Sequence, residues 1–196
     1  ATSAEFLVNA NESLTEASSF FREASTIIIT LGTAWTFRFN ATGEIVSNCL
    51  KRDAKEFTRE RLSLKTCSVL LNSLVGKYPQ KRFIFTVSPI RHLKDGAHGN
   101  QISKSTLLMA VESVVENHPD QCAYFPAYEI MMDELRDYRF YAEDMVHPSQ
   151  QAVNYIWERF CDFALPETER ATLEKNRKAF LQSQHRIITK PQNTDK

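Results

Sequence analysis

Two acid–imidazole pairs stand three residues apart in this chain: Asp144 and His147 in "DMVHPSQQ", and Asp95 and His98 in "KDGAHGN". An imidazole can accept and return a proton near neutral pH. A carboxylate on its other ring nitrogen fixes the tautomer and stabilises the imidazolium. On a loop, a separation of three residues lets the chain fold back so that the two side chains meet. Spacing does not separate the two pairs, but context does. Only His147 is followed by Pro148, which suits the first turn of a helix. Val153, Ile156, Trp157, Phe160 and Ala164 then recur at helical spacing. A helix there would give a proton carrier a rigid base. The plainer alternative is a polar loop satisfied by its own side chains.

A second group of polar residues, in "SPIRHLKDGAHGN", follows an apolar run that reads as a strand. Ligands of open α/β sheets bind beyond the carboxyl ends of strands. Arg91, His92, Asp95, His98 and Asn100 can line a pocket there; the alternative is a solvated loop with glycine turns. A metal held by His92, His98 and Asp95 has no recognised ligand spacing, and no cofactor is expected. Gly32 and Thr33 end another apolar run. Their backbone N–H groups can face an oxyanion, or the pair can be a tight exit turn. Ser88 is the best-placed serine for a nucleophile, but Pro89 removes an N–H that a nucleophile elbow would use. Its other role would be to end the strand.

These residues need elements to position them. Apolar spacing predicts a helix over 13–24, and the β-branched run Thr26–Leu31 predicts a strand buried on both faces. "TFRFNATGEIV" reads as a hairpin turning at 40–43. Cys67, Leu70, Leu71 and Leu74 mark a helix, Arg82–Val87 a strand, and 91–100 a polar loop. Leu107, Leu108, Val111, Val114 and Val115 mark the next helix, "CAYF" a short strand, and 127–135 another helix. A charged helix follows Pro166, and the tail from Thr189 is expected to be loose. Strands alternating with helices imply an α/β fold, a three-layer sandwich around a mostly parallel sheet. The expected organisation is one domain over 1–188 with a tail over 189–196. Three sheet strands are few for such a domain. With Ala1 at the start, the chain reads as the C-terminal part of a longer protein.

Composition narrows the partners. Lys and Arg number 24 and Asp and Glu also 24, so no net charge favours nucleic acid or an anionic membrane. No apolar run approaches the roughly 20 residues of a membrane span. Cys49, Cys67, Cys122 and Cys161 are widely spread, with no C-x-x-C pair. That pattern reads as reduced, packed thiols, and with no signal segment it favours a cytoplasmic location. Oligomeric state is not legible in these residues.

The strings "LGTAWTF", "VSNCLK", "TVSPIRHLKDGAHGNQISKSTLL" and "DMVHPSQQAVNYIWERF" resemble the GSCFA-domain family over about 13–163. That family is similar to the SGNH/GDSL-type hydrolases, whose last block is D-x-x-H-P before a helix. The resemblance implies a bacterial ester hydrolase working by acyl transfer, with acylated carbohydrate as a substrate class. Asp144 and His147 would be its catalytic pair. Gly32, Thr33, Asn48, Ser88, Arg91, His92 and Asn100 would surround the substrate. Three departures stand out. No G-S-C-F-A string occurs, so the nucleophilic serine is expected upstream of Ala1. Ala34 replaces the asparagine that donates to the oxyanion in SGNH enzymes, leaving Asn48 or Asn100 as the donor. Leu50 follows Asn48 and Cys49 where the family pattern tends to have histidine. The competing expectation is a non-catalytic α/β module that binds a small polar ligand or a protein partner through "RHLKDGAHGN".

Overall fold

The computed structural model describes residues 2–47 and 52–184. Helix α1, Ser3–Glu23, leads into strand β1, Thr26–Leu31. Strands β2, Trp35–Phe39, and β3, Ile45–Val46, form the expected hairpin, and β4, Phe57–Arg61, adds to it. Then come α2, Leu64–Lys77, and β5, Arg82–Val87. Helix α3, Gly96–Asn117, and β6, Cys122–Phe125, follow. A short helix α4, Ala127–Glu129, runs directly into a π-helical stretch, Ile130–Leu135. Helices α5, Gln150–Ala164, and α6, Glu167–Gln184, come last. Chain contacts divide the described residues after Ala152, and the site residues discussed below all belong to the first unit.

The fold class is α/β. Strands β1, β5 and β6 form a parallel sheet in that order, flanked by helices in the manner of a three-layer sandwich. β5 is central, and its Phe83, Phe85 and Val87 are fully buried. Val75 of α2 and Val111 and Val114 of α3 pack against the two phenylalanines. Each such side chain contributes roughly 1.5–3 kcal/mol through removal from water. β1 departs from expectation. Its residues alternate between exposed and half-buried, and Ile28 is 53% exposed, so one face of the strand is left uncovered; among the described residues β1 is an edge strand paired only with β5.

A second, antiparallel sheet has the order β3-β2-β4. Sequence reading did not foresee β4, because "FTRER" carries a single large apolar residue. Its pairing partner, β2, supplies the order: Phe37 stands opposite Arg59 and Phe39 opposite Phe57. Helix α1 starts ten residues earlier than apolar spacing predicted. A capping box sets its start: Thr2 Oγ1 accepts from Glu5 N–H at 3.2 Å, and Glu5 Oε2 accepts from Thr2 N–H at 2.8 Å. At its far end the buried Lys81 donates to the carbonyls of Arg22 and Ala24 at 3.1 and 2.6 Å.

The stretch 91–100 is also corrected. It is not a loop throughout: a 3₁₀ turn, Leu93–Asp95, ends at Gly96, and α3 begins there. Gly96 has φ 66°, a left-handed geometry that glycine adopts without steric cost.

Candidate functional site

Asp144 and His147 meet. His147 Nδ1 lies 2.6 Å from Asp144 Oδ2. The other carboxylate oxygen, Oδ1, accepts the backbone N–H groups of Val146 and His147, each at 2.9 Å. Met145 makes this turn possible by adopting φ 58°, a conformation costing an L residue roughly 1–2 kcal/mol. The backbone N–H of His147, then that of Val146, then the imidazole hold the Asp144 carboxyl down at about 2. An ionised carboxylate can only accept, so Nδ1 carries the proton and Nε2 presents a lone pair. The loop is closed at its base: Ala142 N–H donates to His147 carbonyl at 2.8 Å, and Ser149 N–H to Phe140 carbonyl at 2.7 Å. Both side chains remain about half exposed.

The ends of β1 and β5 carry a different arrangement. Lys104 on α3 is fully buried, and its Nζ donates to the carbonyls of Gly32 and Ser88, both at 2.6 Å. Burial lowers its proton affinity, to a pKa of about 8. His92 Nε2 lies 3.2 Å from the same Gly32 carbonyl. Burial, then the charge of Lys104, lowers the His92 pKa. So the feature of Gly32 that the fold engages is its carbonyl, which receives two donors. Thr33 Oγ1 pairs with the buried Ser103 Oγ at 3.0 Å, and Ala34 N–H donates to Ser103 at 2.8 Å. Ser88 is buried, and its Oγ accepts from Ile90 N–H at 3.2 Å.

A cavity of about 330 Å³ opens beside these strand ends, and Arg91, His92, Asn100, Gln101, Tyr128 and Tyr138 supply its polar wall. The guanidinium of Arg91 sits over Tyr141, 3.8 Å from the ring centroid, and 5.4 Å from that of Tyr138. Arg91 N–H also donates to the Val146 carbonyl at 3.2 Å, which ties the cavity wall to the Asp144–His147 turn.

The fold thus brings Arg91, His92 and Asn100 together around one cavity. Gly32 and Ser88 stand behind it through Lys104, and Thr33 faces Ser103. His147 is not part of the cavity wall. Asn48 lies outside the described residues. The second acid–imidazole pair does not form. Asp95 is turned inward, with its side chain 1% exposed, and pairs with Arg59 of β4 at 2.5 Å. Among the described residues no group of three or more His, Cys, Asp or Glu side chains is arranged to hold a metal ion. Arg59 also lies over Trp35, 4.1 Å from the ring centroid, so that tryptophan packs under a cation and does not wall the cavity.

Sequence reading missed Lys104, Ser103 and Gln101. Each sits on α3 within "NQISKSTLL", and one signal was available. The face that carries Leu107 and Val111 also carries Lys104 and Ser103, three and four residues earlier.

The parallel sheet flanked by helices makes this an α/β protein, with an imidazole held by a carboxylate after its last strand and a polar cavity at its strand ends. The chain belongs to the GSCFA family, whose profile matches residues 1–160. No curated protein and no solved structure gives a significant match. Among the described residues no helix is long and apolar enough to cross a membrane.

Proposed function

We propose that the protein is an SGNH-type ester hydrolase in which His147 is the general base and Asp144 its positioning residue. The observation that carries this reading is the 2.6 Å contact from Asp144 Oδ2 to His147 Nδ1, with Asp144 itself fixed by two backbone N–H groups. That geometry leaves Nε2 as the proton acceptor. In the proposed reaction a serine Oγ adds to the ester carbonyl while Nε2 takes its proton. The C–O bond to the alcohol then breaks, and the alcohol leaves with that proton. Water repeats the sequence on the acyl-serine: Nε2 takes a proton from water, and serine leaves with it. Ser88 is not assigned as that serine, because it is buried and its carbonyl and hydroxyl are both engaged within the fold. Acylated carbohydrate remains the substrate class implied by the family resemblance.

A second reading has its own support. Because His147 does not line the cavity, the cavity can serve a non-catalytic module that binds a small polar ligand. Turnover of short-chain nitrophenyl esters by the full-length protein, with and without His147→Ala, decides between them. The hydrolase reading expects a loss on the order of 10²- to 10⁴-fold. Turnover unchanged by that substitution would rule it out.

A further inference from the structure

The cavity's polar wall is built of donors. Asn100 Oδ1 already accepts the His92 backbone N–H at 3.0 Å, so its amide NH₂ is the end left for a ligand. Gln101 Oε1 accepts the Tyr128 hydroxyl at 2.6 Å, which leaves its NH₂ likewise. Arg91 adds a guanidinium held over Tyr141, and among the described residues it forms no ion pair with a carboxylate. No aspartate or glutamate lines the cavity. Several acids near these residues in sequence are engaged elsewhere: Asp95 by Arg59, Glu129 by Tyr124, Asp137 by Arg139, and Asp144 by His147 and its own turn. Behind the wall the Lys104 ammonium is buried with two carbonyls as its only hydrogen-bond acceptors among the described residues. The remaining wall, Pro89, Leu93, Ala97 and Met132 with the two tyrosine rings, is apolar.

We propose that this cavity binds the carboxylate of a small organic acid, with Arg91, Asn100 and Gln101 donating to its two oxygens and the apolar wall taking its body. A planar guanidinium matches a carboxylate in a two-point contact, and amide N–H groups extend it. Cavities near this volume hold small ligands through an apolar lining and a few oriented polar groups. The inference does not depend on hydrolysis. A free acid, or the acid portion of a larger ester, would present the same group.

The test titrates the purified protein with benzoate and with benzamide, its neutral counterpart of the same shape, following the side-chain amide signals of Asn100 and Gln101 by NMR. Benzoate should saturate and shift both signals, and benzamide should bind at least roughly tenfold more weakly. Arg91→Met should weaken benzoate by about 10- to 100-fold. Gln101→Glu keeps the acceptor for Tyr128 but adds a negative charge, so it should also abolish saturation while the protein stays folded. His147→Ala should leave benzoate binding unchanged, which keeps this result separate from the fate of the hydrolase reading. Equal binding of benzoate and benzamide, or no saturable shift with benzoate, would overturn the proposal. Preferential binding of inorganic phosphate would overturn the carboxylate assignment.

Discussion

The ammonium of Lys104 donates to the carbonyl of Gly32 at 2.6 Å, and the same atom reaches Ser88. One side chain from α3 thereby closes the carboxyl ends of two adjacent parallel strands, where the chain leaves β1 and β5. Those carbonyls have run out of strand partners, and a buried carbonyl without a donor costs about 1–3 kcal/mol. Lys104 satisfies both at once, at the cost of holding a charge away from water.

That cost makes a pH prediction. The folded pKa is lowered, from 10.5 to about 8, by burial. Between those values the unfolded chain binds a proton that the folded chain has lost, so stability rises with pH across the window. Below pH 8 both states are protonated and the full penalty applies. The half-buried Tyr124, the buried Tyr128 and Tyr141 and the thiols Cys67, Cys122 and Cys161 have raised values, and they oppose the trend above pH 9 to 10. Comparison with Lys104→Met removes their contribution. Urea unfolding should show the wild type gaining up to about 3 kcal/mol on the variant from pH 8 to 10.5. A constant difference across that range would mean that Lys104 is not charged and buried as described.

Asp144 should matter for orientation and little for stability. Asp144→Asn keeps the shape but offers Nδ1 an amide, which does not enforce the tautomer with a lone pair on Nε2. If His147 is the base, ester turnover should fall by on the order of 10⁴-fold. The melting temperature should move little, because both side chains are about half exposed. Since the Asp144 carboxyl is held at about 2, its own contribution is present above 3.8 and fades only as pH falls toward 2. Turnover followed as pH falls should therefore show no loss centred near 3.8, the ordinary value of a free carboxyl. A loss centred there would contradict this assignment.

Arg59 joins the two sheets' neighbourhoods. It leaves β4, crosses the Trp35 ring and meets the buried carboxylate of Asp95 just before α3. Arg59→Met should strand that carboxylate and cost about 3–5 kcal/mol, read as a lowered urea midpoint. Asp95→Asn in the same chain should recover most of the loss, because the charge that needed a partner is gone. If the double variant is no more stable than Arg59→Met, the loss belongs to packing on Trp35.

Local pattern fixed much of this molecule. The β-branched runs became β1 and β5, the apolar spacings became α2, α3 and α5, and "DMVHPS" became a turn followed by a helix, because each depends on neighbours within a few residues. The contact between Asp144 and His147 belongs to the same class: a three-residue turn contains every atom it needs. Tertiary structure decided the rest. Whether β1 is central or at the edge depends on what else pairs with it, and "FTRER" becomes a strand only because β2 lies alongside. The two D-x-x-H triplets have identical spacing, yet Asp95 turns away because Arg59, 36 positions earlier in the sequence, draws it inward. Lys104 and Gln101 look like ordinary surface residues of a helix until distant backbone carbonyls and a tyrosine hydroxyl take up their polar ends. A hydrogen bond between positions seventy residues apart leaves no local periodicity, so only the packed chain reveals which polar groups are consumed and which remain for a ligand.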